Sequence, residues 1–394
     1  MASAPSRVVS LVGRLRETGE WQQWALLVIA FVAALGIRWS LRAGSTADFD
    51  VYMDPWIDFL REGGFAALGQ EFANYNVPYL YLLYLGSLLP IEPLSVVKLI
   101  ALFFDLVMAA GVAAIAHRLR GSVVIAGVAG LAVLFAPEVF LNSALWGQTD
   151  SIWTSMLVWS AYFMVRRSDT LTWVFFALAF AVKLQAGFFV PWLLLAFIVQ
   201  RHRWRVLGFA AATFALTYVP ALLAGRSLTS LLGVYAGQAG GNVLAVSVPN
   251  LYSWVPNEFF RIVNGAGIFL ALGIVALLCL LYMRRAPFVA SIEPWLLQVG
   301  AAVGVLVPFI LPQMHDRYFY AGAVFTMVCV LVNRAYLVPA VVLQITAMLS
   351  YSGMLFLSAP AVPLNLVALA QLAVAAGLVW ASLAKPQLAP RPFF

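Results

Sequence analysis

Charge is what this sequence has least of. Of 394 residues only 10% are Asp, Glu, Lys or Arg, against about a quarter in an ordinary soluble domain, and no polar stretch is long enough to form such a domain. A water-facing surface cannot be assembled from so few charges, so lipid must cover most of the exterior. Histidine is nearly missing: three residues argue against a His-built metal centre, while a carboxylate-bound Mg²⁺ or Mn²⁺ stays compatible. The two cysteines, Cys279 and Cys329, both fall in apolar runs. They read as small core residues, and neither a metal site nor a redox compartment follows from them.

What is abundant is hydrocarbon. Apolar residues make up 63% of the chain and the mean hydropathy is +0.94. Arg7, Arg14 and Arg16 precede an apolar run from Trp24 to Trp39 that is too long for a signal-peptide core and reads as a retained first helix. A span needs about 17–25 residues, and about twelve runs are candidates: 22–41, 95–117, 121–141, 151–166, 171–184, 186–200, 204–224, 260–283, 293–312, 318–332, 336–350 and 362–383. The expectation is a single all-α polytopic transmembrane domain over 1–394. The stretch Pro78–Leu89 is too short to cross and fits an interfacial or re-entrant helix.

Leaving that stretch out puts both termini in the cytoplasm of a multi-pass cell-membrane protein. The inner loops then hold Arg7, Arg14, Arg16, Arg118, Arg120, Arg166, Arg167, Arg201, Arg203, Arg205, Arg284, Arg285, Arg334, Lys385 and Arg391, against the acids Glu17, Glu20, Asp169 and Glu293. This is the bias of positive-inside topology. It accounts for the net charge of +7 without a nucleic-acid partner.

Two outer loops are long, 42–94 and 225–259, where ordinary connections run about 2–8 residues. Along 51–62, Trp56, Phe59 and Leu60 share a face opposite Asp54, Asp58 and Arg61, the pattern of a helix lying on the membrane surface. Asn74-Tyr75-Asn76 follows. Four more polar clusters fall at the same membrane face: Trp146-Gly147-Gln148-Thr149-Asp150, Lys183-Leu184-Gln185, Val248-Pro249-Asn250 and His315-Asp316-Arg317-Tyr318. Each alone reads equally as a solvated loop end. Together they describe a polar cavity opening outward, because ionisable groups near bilayer depth need partners or a task.

Sugar transfer from a lipid phosphate would use such a set. A carboxylate, Asp48 or Asp150, would take the acceptor proton, and Lys183, His315 and Arg317 would stabilise the departing phosphate. Asn74, Asn76, Gln148, Gln185 and Asn250 could bracket sugar hydroxyls, with Trp146 or Tyr75 stacked on a pyranose face.

The stretches Thr46-Ala-Asp48-Phe-Asp-Val-Tyr-Met-Asp-Pro-Trp56 and Asn74-Tyr-Asn-Val-Pro-Tyr79 resemble the first outer loop of GT-C superfamily glycosyltransferases. The likeness is closest to bacterial mannosyltransferase-like proteins related to the second mannosyltransferase of glycosylphosphatidylinositol assembly. It continues through Trp146-Gly-Gln-Thr-Asp150, Lys183-Leu-Gln185, Ser247-Val-Pro-Asn250 and Met314-His-Asp-Arg-Tyr318, over about residues 45–320. The resemblance implies a GT-C-like fold, a polyprenyl-phosphate donor of mannose or a similar hexose, and inverting transfer at the extracytoplasmic face to a glycan, lipid or protein acceptor. Asp48 matches the family's base. The chain departs from the family pattern at Asp316, where Glu is usual, and at Val77-Pro78, where a double proline is common.

Competing readings accompany each residue. Asp50 rivals Asp48, Asp150 reads equally as a substrate contact or a helix cap, and Lys183, His315 and Arg317 could serve structural ion pairs. Asp105 and Lys98, seven residues apart on one helical face, read as a buried pair. Glu138 is expected to face the cavity or water, and His117 and His202 to sit at an interface. For the whole chain, a transporter or lipid flippase with an outward-facing polar cavity is the alternative, although no internal repeat of the transporter kind is evident. A non-catalytic scaffold would leave the converging polar segments unexplained.

Overall fold

A computed structural model describes the backbone of residues 5–238, 240–356 and 360–384, and side chains from residue 21 onward. The side chains of Arg7, Arg14, Arg16, Glu17 and Glu20, and all of Lys385 and Arg391, lie outside the described residues.

The chain is almost wholly helical. Its first half contains α1 (Pro5–Leu41), α2 (Asp54–Gly63), α3 (Val77–Ser87), α4 (Pro93–Arg120), α5 (Val123–Leu134), α6 (Pro137–Phe140), α7 (Asp150–Val165), α8 (Asp169–Val182) and α9 (Val190–Val199). The second half contains α10 (Arg205–Leu216), α11 (Val219–Leu223), α12 (Leu228–Gln238), α13 (Phe260–Arg285), α14 (Ile292–Ile310), α15 (Tyr320–Val330), α16 (Leu337–Phe356) and α17 (Leu364–Leu383). Every apolar run picked from the sequence is helical over most of its length.

By length and composition, six helices among the described residues suffice to cross a membrane, or seven if the pair at 123–146, bent by 52°, is one span. The break follows Phe135, where Pro137 lacks the N–H that would continue the helix. These are the helices of an integral membrane protein. The remaining runs, α7 to α10 and α15, are shorter than about 17 residues. α7 also carries several buried hydroxyls, on Ser151, Thr154, Ser155 and Ser160. Ser151 and Ser160 donate to the carbonyls of Ala101 and Thr172 at 3.3 and 2.8 Å, tying α7 to α4 and α8.

α14 and α15 carry much of the central core, with most of their side chains buried. They approach closely because small residues face each other, and a Cβ on Gly322 would lie 2.5 Å from the Gly304 carbonyl oxygen.

Three sequence expectations are corrected. Asp105 does not pair with Lys98. It is fully buried and accepts from Arg38 Nε and Nη2 at 3.0 and 2.8 Å and from Ser143 Oγ at 2.6 Å, while Lys98 Nζ donates to Leu145 O at 2.6 Å. The guanidinium is the better partner at this depth because it can also satisfy the Ala34 and Leu134 carbonyls. Secondly, the apolar face of α2 is closed by the chain itself: Trp56, Ile57 and Leu60 are buried and α2 packs on α3 and α4, leaving Asp58 and Arg61 outward. Thirdly, Glu138 faces neither cavity nor water. It is buried, with Gln344 Nε2 and Tyr351 Oη donating at 3.3 and 3.5 Å. His117 is exposed but His202 is buried, accepting from Trp173 Nε1 at 3.1 Å.

Most of Pro78–Leu89 lies in the short helix α3, Val77–Ser87, about 16 Å long at 1.5 Å per residue. The loop 225–259 is ordered by α12 and by a two-residue parallel bridge of β1 (Ala245–Val246) with β2 (Met314–His315). That bridge carries the second outer loop to the His315-Asp316-Arg317 segment.

Candidate functional site

Two π-helical turns build the floor of the site, at Phe49–Met53 and Leu141–Trp146. Such turns interrupt the regular ladder and often mark functional positions. Asp48 stands just before the first. Trp146 ends the second, where Gly147 turns the chain with φ of +79°, a conformation that disfavours any side chain. The indole Nε1 of Trp146 and Nε2 of Gln148 both donate to Asp48 Oδ2, at 3.0 and 2.8 Å. Oδ1 of Asp48 accepts no hydrogen bond among the described residues. Asp50 points away: it is exposed and accepts from Ser45 at 3.0 Å. The geometry thus separates the two rival acids.

Asp150 lies beside this acid at the start of α7 and is fully buried. Its carboxylate caps no helix. Oδ1 accepts from Lys183 Nζ at 2.7 Å and Trp153 Nε1 at 3.0 Å, and Oδ2 from Asn142 Nδ2 at 3.1 Å. Arg317 Nε stands 3.6 Å from the same Oδ2. Two cations thus converge on one buried carboxylate, and charges at such a place interact more strongly than in water. Lys183 reaches in because α8 ends at Val182 and its backbone turns extended.

Arg317 also lies 5.2 Å from the centroid of the Trp146 ring, within cation–π range, and 3.8 Å from Asp316. Burial opposes its charge, but Tyr75, Asp150 and Asp316 outweigh that and hold its pKa above the ordinary value. His315 behaves oppositely. Burial first, then Arg317 and Lys183, push it down to about 4, so the imidazole is neutral at pH 7 and offers one N–H and no charge. Burial raises the Asp316 carboxyl to about 7 in spite of Arg317.

The other sequence candidates divide. Tyr75 packs between Trp56 and Tyr79, at 5.6 and 5.3 Å between ring centres. Asn76 is buried with Nδ2 3.5 Å from Val182 O. Gln185 is buried beside Lys183. Asn74 is exposed, away from this cluster, and its carbonyl accepts from Gln238 at 3.1 Å. Asn250 is fully occupied by backbone: Oδ1 accepts from Tyr252 N, and Nδ2 donates to Pro308 O and Leu311 O at 3.3 and 3.2 Å. It fastens the loop and leaves no donor for a sugar.

Asn142 and Trp153 are the site residues that sequence reading missed. Trp153 lies three residues after Asp150, one helical turn away, so its reach was legible. Asn142 had no such signal. Several buried polar atoms here have no hydrogen-bond partner: Thr46 Oγ1, Asn76 Oδ1, Asn142 Oδ1, Gln148 Oε1, Gln185 Oε1 and Asp316 Oδ2. Buried unsatisfied groups are few in folded proteins. Others occur elsewhere in the fold, at Tyr218, Arg226 and Tyr336 among them, and those here are what a polar ligand at this site would satisfy.

No group of three or more His, Cys, Asp or Glu able to hold a metal occurs among the described residues. Asp150, central among the carboxylates, is already engaged by Lys183, Trp153 and Asn142.

No family model matches the chain, and no curated protein matches it.

Proposed function

We propose that the protein is a membrane glycosyltransferase that moves a hexose, mannose or a close relative, from a polyprenyl-phosphate donor to a glycan, lipid or protein acceptor at the extracytoplasmic face. One observation carries the reading: Trp146 has Asp48 on its indole edge and Arg317 over its ring, so a carboxylate with a free oxygen and a partly buried cation share one wall. Asp48 acts as general base. Its Oδ2 is fixed by two N–H donors, which aims Oδ1 at an acceptor hydroxyl. As that hydroxyl oxygen bonds to the anomeric carbon, its proton passes to Asp48 and the glycosidic bond to phosphate breaks, inverting the centre. Arg317 and Lys183 bind the departing phosphate, whose negative charge grows as the bond cleaves.

In this reading the fold is GT-C-like. Twelve spans include α7, α8, α9 and α15 as short helices with buried faces and α10, which buries only Val206, and both termini are cytoplasmic. The test is transfer itself. Purified protein with radiolabelled polyprenyl-phosphate mannose and a membrane lipid extract should yield a labelled product with release of polyprenyl phosphate. If labelled donor instead crosses the bilayer of sealed vesicles unchanged, with no product, the flippase alternative holds.

A further inference from the structure

A second concentration of positive charge lies away from the site just described. A cavity of about 680 Å³ opens where α4, α7 and α13 end and α14 begins, lined by Arg118, Arg120, Arg166, Arg167, Arg285 and the single acid Glu293. It stands at the opposite end of the helices from Asp48 and Asp150. α7 runs from Asp150 to this cavity, and α14 runs from this cavity back to the loop bearing Arg317. At 1.5 Å per residue, the 16 residues of α7 set the two places about 24 Å apart.

An arginine at a helix C-terminus is ordinary, since it complements the helix dipole. Dipole compensation works helix by helix and does not require the side chains to share one cavity. Here five do, and among the described residues the lining holds one acid, Glu293, engaged by Arg167. Arg285 donates through Nη2 to Ala384 O at 2.7 Å, while its Nε is buried without a hydrogen-bond partner. Arg166 leans on Tyr162, its Nη1 3.1 Å from the phenol oxygen, and Arg118 is exposed at the rim. Ser291 and Gln298 add neutral polar groups to the wall. The volume lies in the range of small-molecule pockets, about 300–1,000 Å³.

We infer that this cavity binds a phosphate group, the headgroup phosphate of an anionic phospholipid being the source at a membrane surface. Guanidinium forks match phosphate oxygens two at a time, and basic pockets between helix ends suit anionic headgroups. Free inorganic phosphate carries the same chemistry and is the competing source.

The test uses the full chain in neutral detergent at constant ionic strength, titrated with short-chain phosphatidylglycerol, short-chain phosphatidylcholine or inorganic phosphate. Kd is read from the thermal shift. Phosphatidylglycerol should raise Tm and phosphatidylcholine should not. Arg118→Gln with Arg166→Gln, both on exposed side chains, should weaken binding about tenfold or more, the size of lost charge-assisted hydrogen bonds. Arg203→Gln, an exposed arginine outside the cavity, should bind as wild type. A shift with inorganic phosphate that competes with the lipid assigns the site to a free anion. A shift with phosphatidylglycerol alone assigns it to a headgroup. Equal shifts with both lipids, wild-type affinity in the double variant, or equal loss in Arg203→Gln would overturn the proposal. Unliganded Tm of each variant controls for folding, and the Arg118→Gln single variant should show a smaller loss of the same sign.

Discussion

The indole of Trp146 donates to Asp48 at 3.0 Å, linking residues 98 positions apart and fixing which oxygen of the acid stays available. Asp48→Asn keeps the shape but accepts no proton, and single-turnover transfer should fall about 10²–10⁴-fold, with folded yield unchanged. Asp50→Asn should turn over normally. If the two variants behave the other way round, the base is Asp50.

Arg38 and Asp105 form the deepest ion pair, 2.8 Å apart with side chains 4% and 0% exposed. Arg38→Met alone leaves a buried carboxylate unpaired and should cost about 3–5 kcal/mol. Adding Asp105→Leu should restore part of that. Tm in detergent reads both, and a double variant no better than the single one would show that the pair is not coupled.

Much of the helical plan was legible because hydropathy runs register directly as helices, and α3 was recognisable by being too short. Side-chain partners were not. The Asp105–Lys98 expectation relied on helical spacing, and the true partner, Arg38, lies 67 residues away on α1. Asn250 looked like a sugar ligand because a lone amide in a polar loop carries no sign of the carbonyls at Pro308 and Leu311 that it meets only after folding. The bridge from Ala245 to Met314 was equally hidden, since two residues carry no strand periodicity. By contrast, Asp48, Trp146, Gln148, Asp150, Lys183 and Arg317 do come together.

Sidedness can be checked with single cysteines at exposed positions. Asp50→Cys and Thr229→Cys should react with an impermeant maleimide added outside intact cells, and Arg203→Cys only after lysis. Position 250 is unsuitable because Asn250 is fully buried. Labelling of 50 and 203 from one side would defeat the twelve-span arrangement.

His315 and Asp316 should oppose each other in pH dependence. His315 falls from 6.5 to about 4 on folding, so between these values the unfolded chain binds the extra proton and stability rises with pH. Asp316 rises from 3.8 to about 7. There the folded chain holds the extra proton, so stability falls as pH rises through that window. With both groups present the two slopes nearly cancel from about pH 4 to 6.5, so Asp316→Asn should uncover a rise of Tm with pH and His315→Gln a fall. Changes of the same sign in both variants would contradict these shifts.

Arg317 carries the sharpest test of phosphate binding, because its salt bridges to Asp150 and Asp316 offer a structural role as the rival. A departing lipid phosphate gains charge in the transition state, so a fixed cation should affect kcat more than donor binding. Arg317→Lys keeps the charge and loses the planar fork, and should lower kcat while leaving donor affinity within a few-fold. Arg317→Ala should do more damage, about 2.7–4 kcal/mol by analogy with a lost transition-state donor. A purely structural role would instead lower folded yield and Tm in both variants, with normal kinetics in the protein that survives. Donor affinity and single-turnover rate, measured on folded fractions matched by gel filtration, separate the two. Wild-type rates in Arg317→Ala would remove this residue from phosphate recognition and leave Lys183, 2.7 Å from Asp150, as the cation to test next.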